Sequence, residues 1–471
     1  MTLTRLNLVL IAILLMGYAF LDKGFAYVGF FPLFIGEITF AAMLMITLLT
    51  GTNTQFLRSP ICLALLAFIA WETLILVFHS KGTWVNALRD SVTWAYAAFA
   101  LLVAGLLLRA RALEQTLHWY GRWMPWLVFL SAPLFILADR FGGSLPHFPG
   151  ANVTILNIKA GDVGVHLGGA VAFFALGLYK DYPPKKRRNW QGLKDLIFIS
   201  FLTFGTIAIG SRSRGGLLSV VLPAAICFAI RPGNRLGRFI LPALVLIFLL
   251  SVFDISIPTG YRQISVNQIL HNVESVVFEG GKGTRQQTST ANWRLSWWEG
   301  IIKHTIEGPA FWFGDGFGRS LAVEYGFADD TGNRSPHDAH LTILARSGVP
   351  GLALWVFFIL TTYTVLMRSY INANVSNQVT LAKVNLWVMA YFTAFLVNMS
   401  FDVYLEGPQG GIWFWCLIGY AIALTRAQRI NRTSAREVST TPDYGPARAG
   451  RYPRLRPSPA PMARSRKVGA R

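Results

Sequence analysis

The segment GVPGLALWVFFILTTYTVLM, residues 348–367, is a run of twenty residues without a charged side chain. A helix of about 20 mainly apolar residues is long enough to cross the hydrocarbon core of a bilayer. Directly upstream lies NRSPHDAHL, residues 333–341, near the end of a long polar segment, residues 255–347. The junction of these two stretches predicts a membrane-spanning helix beneath a polar loop that carries histidines.

The rest of the chain has the composition of a membrane protein. Of its 471 residues, 53% are hydrophobic and only 14% are charged, whereas soluble domains average about 25% charged residues. We predict an all-α polytopic membrane protein with about 12 transmembrane helices. The predicted spans are residues 4–21, 28–50, 59–78, 91–108, 118–138, 161–179, 194–210, 215–230, 238–254, 348–367, 383–400 and 411–425.

The net charge of +20 would indicate a nucleic-acid partner in a soluble protein. In a polytopic chain, Lys and Arg instead accumulate in short cytoplasmic loops, so we expect no nucleic acid and only membrane lipids as general partners. The run Lys185-Lys186-Arg187-Arg188 is the strongest such signal. It predicts cytoplasmic N- and C-termini and places residues 255–347 on the outer face, which is the periplasm in a Gram-negative bacterium.

This topology divides the chain into four parts. Residues 1–254 carry nine spans, residues 255–347 form one large outer loop with short helices, and residues 348–425 carry three more spans. Within the loop, the tryptophan spacing predicts a helix over Asn292–Ile306 that Gly308 ends, followed by a tight turn at Gly314–Gly318. Residues 426–471 are basic and cannot bury a core, so we predict a disordered cytoplasmic tail.

The sequence contains no signal for a cofactor. Phosphate-loop, dinucleotide and zinc-protease motifs are missing, so nothing indicates a nucleotide substrate. Cys62, Cys227 and Cys416 lie inside apolar runs, where we expect neither a disulfide nor a metal cluster. His337 and His340 lack further ligands at matching spacing, so we predict no metal site.

Two arginines lie in the short outer turn GSRSRGG, residues 210–216. Arg212 and Arg214 are candidates for binding phosphate, because a guanidinium forms bidentate contacts with phosphate oxygens; the sequence does not separate the two. As an alternative, both are snorkelling anchors. Arg294 in the outer loop is a further candidate clamp, or else a cation–π partner of a neighbouring tryptophan.

His337 is the candidate general base, because an imidazole accepts protons near neutral pH. Asp338 is its candidate orienting partner, and His340 competes for the same role. Arg89 and Lys159 lie on the same outer edge and are candidate contacts for an anionic ligand. Two acids, Asp402 and Glu406, lie between the last two spans on that edge.

Taken in order, the motifs resemble the O-antigen ligase and O-antigen polymerase superfamily. They are the Ser-Arg-Gly-Gly turn at 213–216, Arg294 with Trp297, the Gly-Asp-Gly-Phe-Gly turn at 314–318, His337-Asp338-Ala339-His340-Leu341 and the residues 345–352. The usual family pattern has Asn at the position of Asp338 and often Glu at the position of Arg346.

The resemblance implies a membrane glycosyltransferase of the GT-C type that uses neither metal nor ATP. Its donor would be a glycan on undecaprenyl diphosphate, and in the ligase branch its acceptor would be a sugar hydroxyl of the lipid A-core. By motif position, Arg214 and Arg294 correspond to diphosphate-binding residues and His337 to the catalytic residue. We expect inverting transfer at the periplasmic face of the bacterial inner membrane.

Three other functions share parts of this pattern. A polymerase of the same superfamily would show a second sizeable outer loop, and only one such loop is predicted. A protein O-oligosaccharyltransferase has the same single loop and differs in its acceptor, a Ser or Thr of a protein. A lipid-linked sugar transporter would carry charges deep in the bilayer and repeat symmetry, whereas the charges here collect at the outer edge.

Overall fold

The computed structural model describes residues 3–30, 33–149, 153–182, 191–231, 236–253, 256–257, 263–269, 285–328 and 333–440. The described chain is mostly helical. Its helices are α1 Leu3–Ala26, α2 Ile35–Thr50, α3 Pro60–Phe78, α4 Trp84–Ala95, α5 Ala97–Ala110, α6 Leu113–Phe141, α7 Ala160–Ala175, α8 Gln191–Gly210, α9 Arg214–Ile230, α10 Leu236–Val252, α11 Arg285–Ile302, α12 Leu321–Glu324, α13 Ala339–Val375, α14 Val379–Met399 and α15 Pro408–Thr440. Two short strands, β1 Gly29–Phe30 and β2 Leu33–Phe34, form an antiparallel hairpin.

The predicted class, a polytopic membrane protein, is supported by the length and apolarity of these helices. Within the described residues, seven are long and apolar enough to cross a membrane, and the bent pair α4–α5 can supply an eighth. Four shorter apolar helices, α2, α7, α9 and most of α10, coincide with the remaining predicted spans. The count of twelve spans therefore stays a prediction, because four of the segments are shorter than a standard span.

The two most enclosed spans are α14 and α15. In the apolar stretch of α14, 72% of the residues are buried, and in that of α15, 94% are buried. Aromatic side chains such as Tyr391, Phe395 and Trp415 fill this interior. The loop that joins these two helices, residues 400–407, consequently emerges at the centre of the helical bundle rather than at its rim.

Helices α7 and α9 approach each other through backbone atoms. A Cβ atom placed on Gly164 would lie 2.5 Å from the carbonyl oxygen of Gly216, and one on Gly168 would lie 2.1 Å from that of Ser219. Neither position can hold a larger residue without moving a helix. Small residues allow this kind of close packing in membranes, and here it places the first turns of both helices side by side.

Ion pairs mark both ends of the α7–α14 pair. Lys159 contacts Asp402 at one end, and Lys383 contacts Asp181 at 3.1 Å at the other. The basic run that anchors the predicted topology, residues 185–188, lies outside the described residues, as do residues 441–471 of the predicted tail. Residues 426–440, which we assigned to that tail, continue helix α15 instead. After Gly419 the first helix-breaking residue is Pro442, so nothing in the local sequence ends the helix earlier.

The outer segment contains the expected helix and turn. Helix α11 continues as a π-helical turn over Lys303–Glu307 and ends at Gly308, which confirms the predicted helix over Asn292–Ile306. At the turn, Gly314, Gly316 and Gly318 all have positive φ, a conformation that glycine adopts without steric cost. A Cβ on Gly316 would lie 1.9 Å from the carbonyl oxygen of His79, so this turn packs directly on the end of α3.

Candidate active site

The candidate site is centred on Asp402 in the loop between α14 and α15. Both carboxylate oxygens of Asp402 lie 3.2 Å from Nζ of Lys159, the residue that precedes α7. One of these oxygens also lies 3.5 Å from Nδ1 of His337. Burial alone would raise the pKa of Asp402, but the charge of Lys159 and the contact with His337 outweigh burial and lower it. Asp402 is therefore an ionised carboxylate at neutral pH.

The same ion pair raises the pKa of Lys159. Burial would lower the pKa of its ammonium, but the carboxylates of Asp402 and Asp162 outweigh burial and raise it. The two side chains are thus a charged pair with partial access to solvent, since 34% of the Lys159 side chain and 21% of the Asp402 side chain are exposed. Lys159 is consequently engaged within the protein while it still faces the site.

His337 has an unusual backbone conformation, with a φ of 57°. Only a few per cent of non-glycine residues have positive φ, and such strain concentrates at functional sites. The ring of His337 lies 6.2 Å from that of Trp293. Because Nδ1 faces an ionised carboxylate, the tautomer with its hydrogen on Nδ1 is favoured, and Nε2 keeps the lone pair that can accept a proton. The 3.5 Å separation is an ion-pair distance, longer than a well-formed hydrogen bond.

Several contacts hold the segment that carries His337. Ser335 donates a hydrogen bond to Glu406 at 2.9 Å, and Trp298 on α11 donates one to the carbonyl oxygen of Pro336 at 2.9 Å. On the other side, the Asp338 carboxylate accepts hydrogen bonds from the backbone N–H groups of His340 and Leu341 and caps α13. These fixed neighbours maintain the strained conformation of His337.

The carboxylate beside the His337 ring is therefore that of Asp402 and not that of Asp338. Asp338 has the geometry of an N-cap residue, and its carboxylate is occupied by the first turn of α13. The orienting role that we assigned to Asp338 fits Asp402 better. The contact between His337 and Asp402 joins positions 65 residues apart, so sequence spacing contains no direct signal for it. The sequence indicated only that Asp402 follows a predicted span on the outer edge.

His340 is held by two side chains. Trp355 donates a hydrogen bond to its Nδ1 at 2.9 Å, and its Nε2 lies 3.0 Å from the hydroxyl oxygen of Ser400. A ring that accepts at Nδ1 carries its hydrogen on Nε2, so both nitrogens are used within the protein. His340 thus has the contacts of a structural residue, which favours His337 as the base.

Arg294 reaches the same loop from α11. Its Nη1 donates a hydrogen bond to the carbonyl oxygen of Phe401 at 3.2 Å, while its Nε is buried without a hydrogen-bond partner in the described structure. Burial lowers the pKa of Arg294, and Asp402 and Asp338 oppose this effect. An arginine nevertheless stays protonated in a protein, so the site contains a charged guanidinium that the protein only partly satisfies.

Arg214 is the first residue of α9. The helix is capped by Ser213, whose Oγ accepts a hydrogen bond from the backbone N–H of Gly216 at 3.0 Å. The next residue, Gly215, adjoins Phe401, because a Cβ there would lie 2.9 Å from the Cβ of Phe401. A helix N-terminus favours anions, so the start of α9, at which Arg214 lies, brings partial positive charge to the same loop.

The remaining predicted residues lie in other contacts. Arg212 forms a largely buried ion pair with Asp139 at the end of α6. Arg89 is exposed on α4, and the neighbouring Asp90 pairs with Arg334 and with Arg346. Arg346, which departs from the family pattern, thus has an acidic partner within the protein.

The structure therefore brings three of the predicted residues, His337, Lys159 and Arg294, together around Phe401 and Asp402. The turn at Arg214 adjoins Phe401 through Gly215. The structure engages Arg212, Asp338 and His340 in other contacts. It also places the two acids of the outer edge, Asp402 and Glu406, against His337 and Ser335. In the described part of the chain no group of three or more His, Cys, Asp or Glu side chains is arranged to hold a metal ion.

Comparison with known proteins identifies one domain. Residues 199–356 match the family model described as O-Antigen ligase, Wzy_C. The matched range contains Arg214, Arg294 and His337, the three residues expected to correspond to the family's functional positions. No curated protein matches the chain. The resemblance to the O-antigen ligase superfamily is thus confirmed over residues 199–356, the range in which the chain matches the O-antigen ligase family model.

Proposed function

We propose that this protein is an O-antigen ligase. It transfers a glycan from undecaprenyl diphosphate to a sugar hydroxyl of the lipid A-core during lipopolysaccharide biosynthesis. The family match over residues 199–356 supports a glycosyltransferase-like role in O-antigen processing. The observation that carries the proposal is the array in which Asp402 contacts both His337 and Lys159, with Arg294 bound to the adjacent Phe401 carbonyl.

The proposed reaction is a direct, inverting displacement. Nε2 of His337 accepts the proton of the acceptor hydroxyl while that oxygen forms a bond to the anomeric carbon of the donor sugar. The bond from this carbon to the diphosphate oxygen breaks, and undecaprenyl diphosphate leaves with the electron pair. Asp402 stabilises the imidazolium that forms, and Lys159 keeps Asp402 ionised.

The arginines stabilise the leaving group in this proposal. Arg294 contacts Phe401 from α11, and Arg214 begins α9, whose next residue adjoins Phe401. Each guanidinium would bind phosphate oxygens through its planar set of N–H donors. Donors that are already in place where negative charge develops are usually the largest electrostatic contribution to catalysis. The diphosphate supplies the driving force, so the reaction needs no ATP. In this proposal the two guanidiniums stabilise the leaving group in place of a metal ion.

The proposed setting is the bacterial inner membrane, with about 12 spans in a GT-C arrangement. Residues 1–254 supply the first nine spans, residues 255–347 form the periplasmic loop that covers the site, and residues 348–425 supply the last three. Both termini face the cytoplasm. The partners are then the lipid-linked glycan, the lipid A-core acceptor and the surrounding lipids.

Purified wild-type protein and His337→Ala provide the direct test. With a glycan on undecaprenyl diphosphate and lipid A-core as substrates, wild type should form the ligated product and His337→Ala should lose at least about 100-fold in rate, the usual contribution of a general base. His147→Ala is the matched control, because His147 is an exposed loop histidine. Full activity of folded His337→Ala would contradict the assignment of the base.

A gene deletion tests the substrate assignment. Loss of polymeric O-antigen from lipid A, with lipid-linked polymer accumulating, is expected for a ligase. Lipopolysaccharide capped by a single repeat would instead indicate a polymerase, and loss of glycan from periplasmic proteins would indicate a protein O-oligosaccharyltransferase. Either of these results would overturn the proposed acceptor.

A further inference from the structure

Helix α1 is broken at Asp22, next to the candidate site. Asp22 has φ 50° and ψ −131° inside an otherwise helical segment, a conformation that costs a non-glycine residue on the order of 1–3 kcal/mol. The break is held by contacts with the segment before α7. The Asp22 carboxylate accepts a hydrogen bond from the backbone N–H of Lys159 at 2.7 Å, and the N–H of Gly24 donates to the carbonyl oxygen of Asn157 at 3.4 Å.

The close approach extends to Gly24. A Cβ on Gly24 would lie 2.3 Å from the carbonyl oxygen of Ile155. The chain after the break therefore packs directly against the segment that leads to Lys159. Lys23 lies between these two fixed positions. The strained backbone therefore fixes the position from which the Lys23 side chain extends, and this position is next to Lys159.

Lys23 is half-buried, and the charges of Lys159, Asp22, Asp162 and Asp402 all act on it. It nevertheless forms no hydrogen bond or ion pair with another described residue. A cation that is partly removed from water without a partner is unfavourable, and an anion bound nearby would relieve this cost.

The neighbouring carboxylates are already engaged. Asp22 binds the backbone of Lys159, and Asp402 binds the Lys159 ammonium and faces His337. Asp162 accepts hydrogen bonds from Asn398 at 3.2 Å and from Gln409 at 3.4 Å. None of these carboxylates is therefore available to pair with Lys23 alone. Arg294, which is also close enough to Asp402 to feel its charge, donates its hydrogen bond to a carbonyl oxygen instead.

We propose that Lys23 is a substrate-binding residue whose ammonium contacts a phosphate oxygen of the donor's diphosphate. This inference rests on the proposed function and extends it, because it adds a cation from α1 to the arginines of α9 and α11. A lysine suits this position because its ammonium is a compact point charge that needs no planar alignment. Phosphate groups on the acceptor lipid have the same chemistry, so the test separates the two sources.

The variants are Lys23→Gln and Lys23→Arg, with Lys81→Gln as the control. Lys81 is also a half-buried lysine at the outer edge, and it contacts the turn at Phe317 through its backbone N–H. Initial rates are measured over a titration of lipid-linked donor at fixed acceptor and over the reverse titration. Lys23→Gln is expected to raise the KM for the donor about 10- to 100-fold, the effect of losing a charge-assisted hydrogen bond. The KM for the acceptor should stay unchanged, and Lys23→Arg should recover most of the loss.

Binding of undecaprenyl diphosphate without a glycan provides a second readout that does not need transfer. Thermal stabilisation of the purified protein by this lipid should weaken in Lys23→Gln and persist in Lys81→Gln. An increase confined to the KM for the acceptor, or unchanged values for both substrates, would overturn the role of Lys23. A wild-type protein that binds the diphosphate lipid in a Lys23-dependent manner but transfers no glycan would refute the ligase proposal and leave the binding site in place.

Discussion

Replacing Asp402 by Asn tests the central electrostatic contact of the site. Asn has nearly the same shape but no charge, so Lys159 loses its ion-pair partner at 3.2 Å and His337 loses the carboxylate beside Nδ1. Removal of one member of a fully buried pair costs about 3–5 kcal/mol. Because 34% of the Lys159 side chain is exposed, solvent screening reduces this cost, and we expect a loss of about 1–3 kcal/mol in the free energy of unfolding.

The effect on catalysis should be larger than the effect on stability. An amide can present either its oxygen or its NH2 group to the ring, so Asn no longer enforces hydrogen on Nδ1, and without the negative charge the developing imidazolium is less stabilised. General-base catalysis contributes about 10²–10⁴-fold, so we expect kcat to fall within this range. The assay is the rate of transfer from lipid-linked glycan to lipid A-core in detergent, with thermal unfolding measured on the same preparations.

A second substitution separates the two effects. In Asp402→Asn combined with Lys159→Met, neither charge is left unpaired, so stability should recover by most of the loss while kcat stays low. Recovery of activity together with stability would show that Asp402 serves only to hold the fold. A single Asp402→Asn variant that keeps kcat within about twofold of wild type would likewise refute the argument.

The remaining predictions concern the clamp, the metal and the pH. Arg214→Lys keeps the positive charge but loses the planar donor set, so the transfer rate should fall at least about tenfold. The control Arg140→Lys, a change outside the site, should leave the transfer rate unaltered. Equal transfer rates in the two variants would contradict bidentate binding by Arg214. Addition of a chelator should leave the rate unchanged, whereas a loss that added metal restores would contradict the metal-independent mechanism. Because the folded pKa of Asp402 lies below the unfolded value of about 3.9, its stabilisation is fully present above about pH 4 and is lost as the pH falls towards the folded pKa. Thermal unfolding between pH 3 and 7 should therefore show a smaller loss on acidification in Asp402→Asn than in wild type, and identical acid dependence would contradict the assigned shift.

The apolar runs of the sequence predicted the helices well because the length needed to cross a bilayer is a strong physical constraint. The pattern of tryptophans similarly located the helix that carries Arg294, and Gly308 marked its end. Helix ends were less predictable, as residues 426–440 show, because a basic composition that is typical of disorder is also compatible with a helix that starts in the membrane.

The site was only partly predictable because its partners are distant in sequence. Arg212 and Arg214 are nearly equivalent in the sequence, and the difference arises from Asp139, which engages Arg212 from another helix. Asp338 precedes a helix and is a common N-cap residue, so its structural role was within reach of sequence reasoning. The proximity of Asp402 to His337 was not, because it depends on how α14 and α13 pack.

The contact between α7 and α9 has a consequence for how the site can evolve. Lys159 precedes one of these helices and Arg214 begins the other, and their backbones touch at Gly164 and Gly216 without intervening side chains. The spacing of the two cations is therefore set inside the hydrophobic part of the protein and not by the outer loop. Under the proposed mechanism, the loop can therefore change its sequence to suit another glycan while the distance between the start of α9 and the Lys159–Asp402 pair stays constant. In that mechanism the Arg214 side of the diphosphate site is independent of changes in the loop, whereas the Arg294 side changes with it.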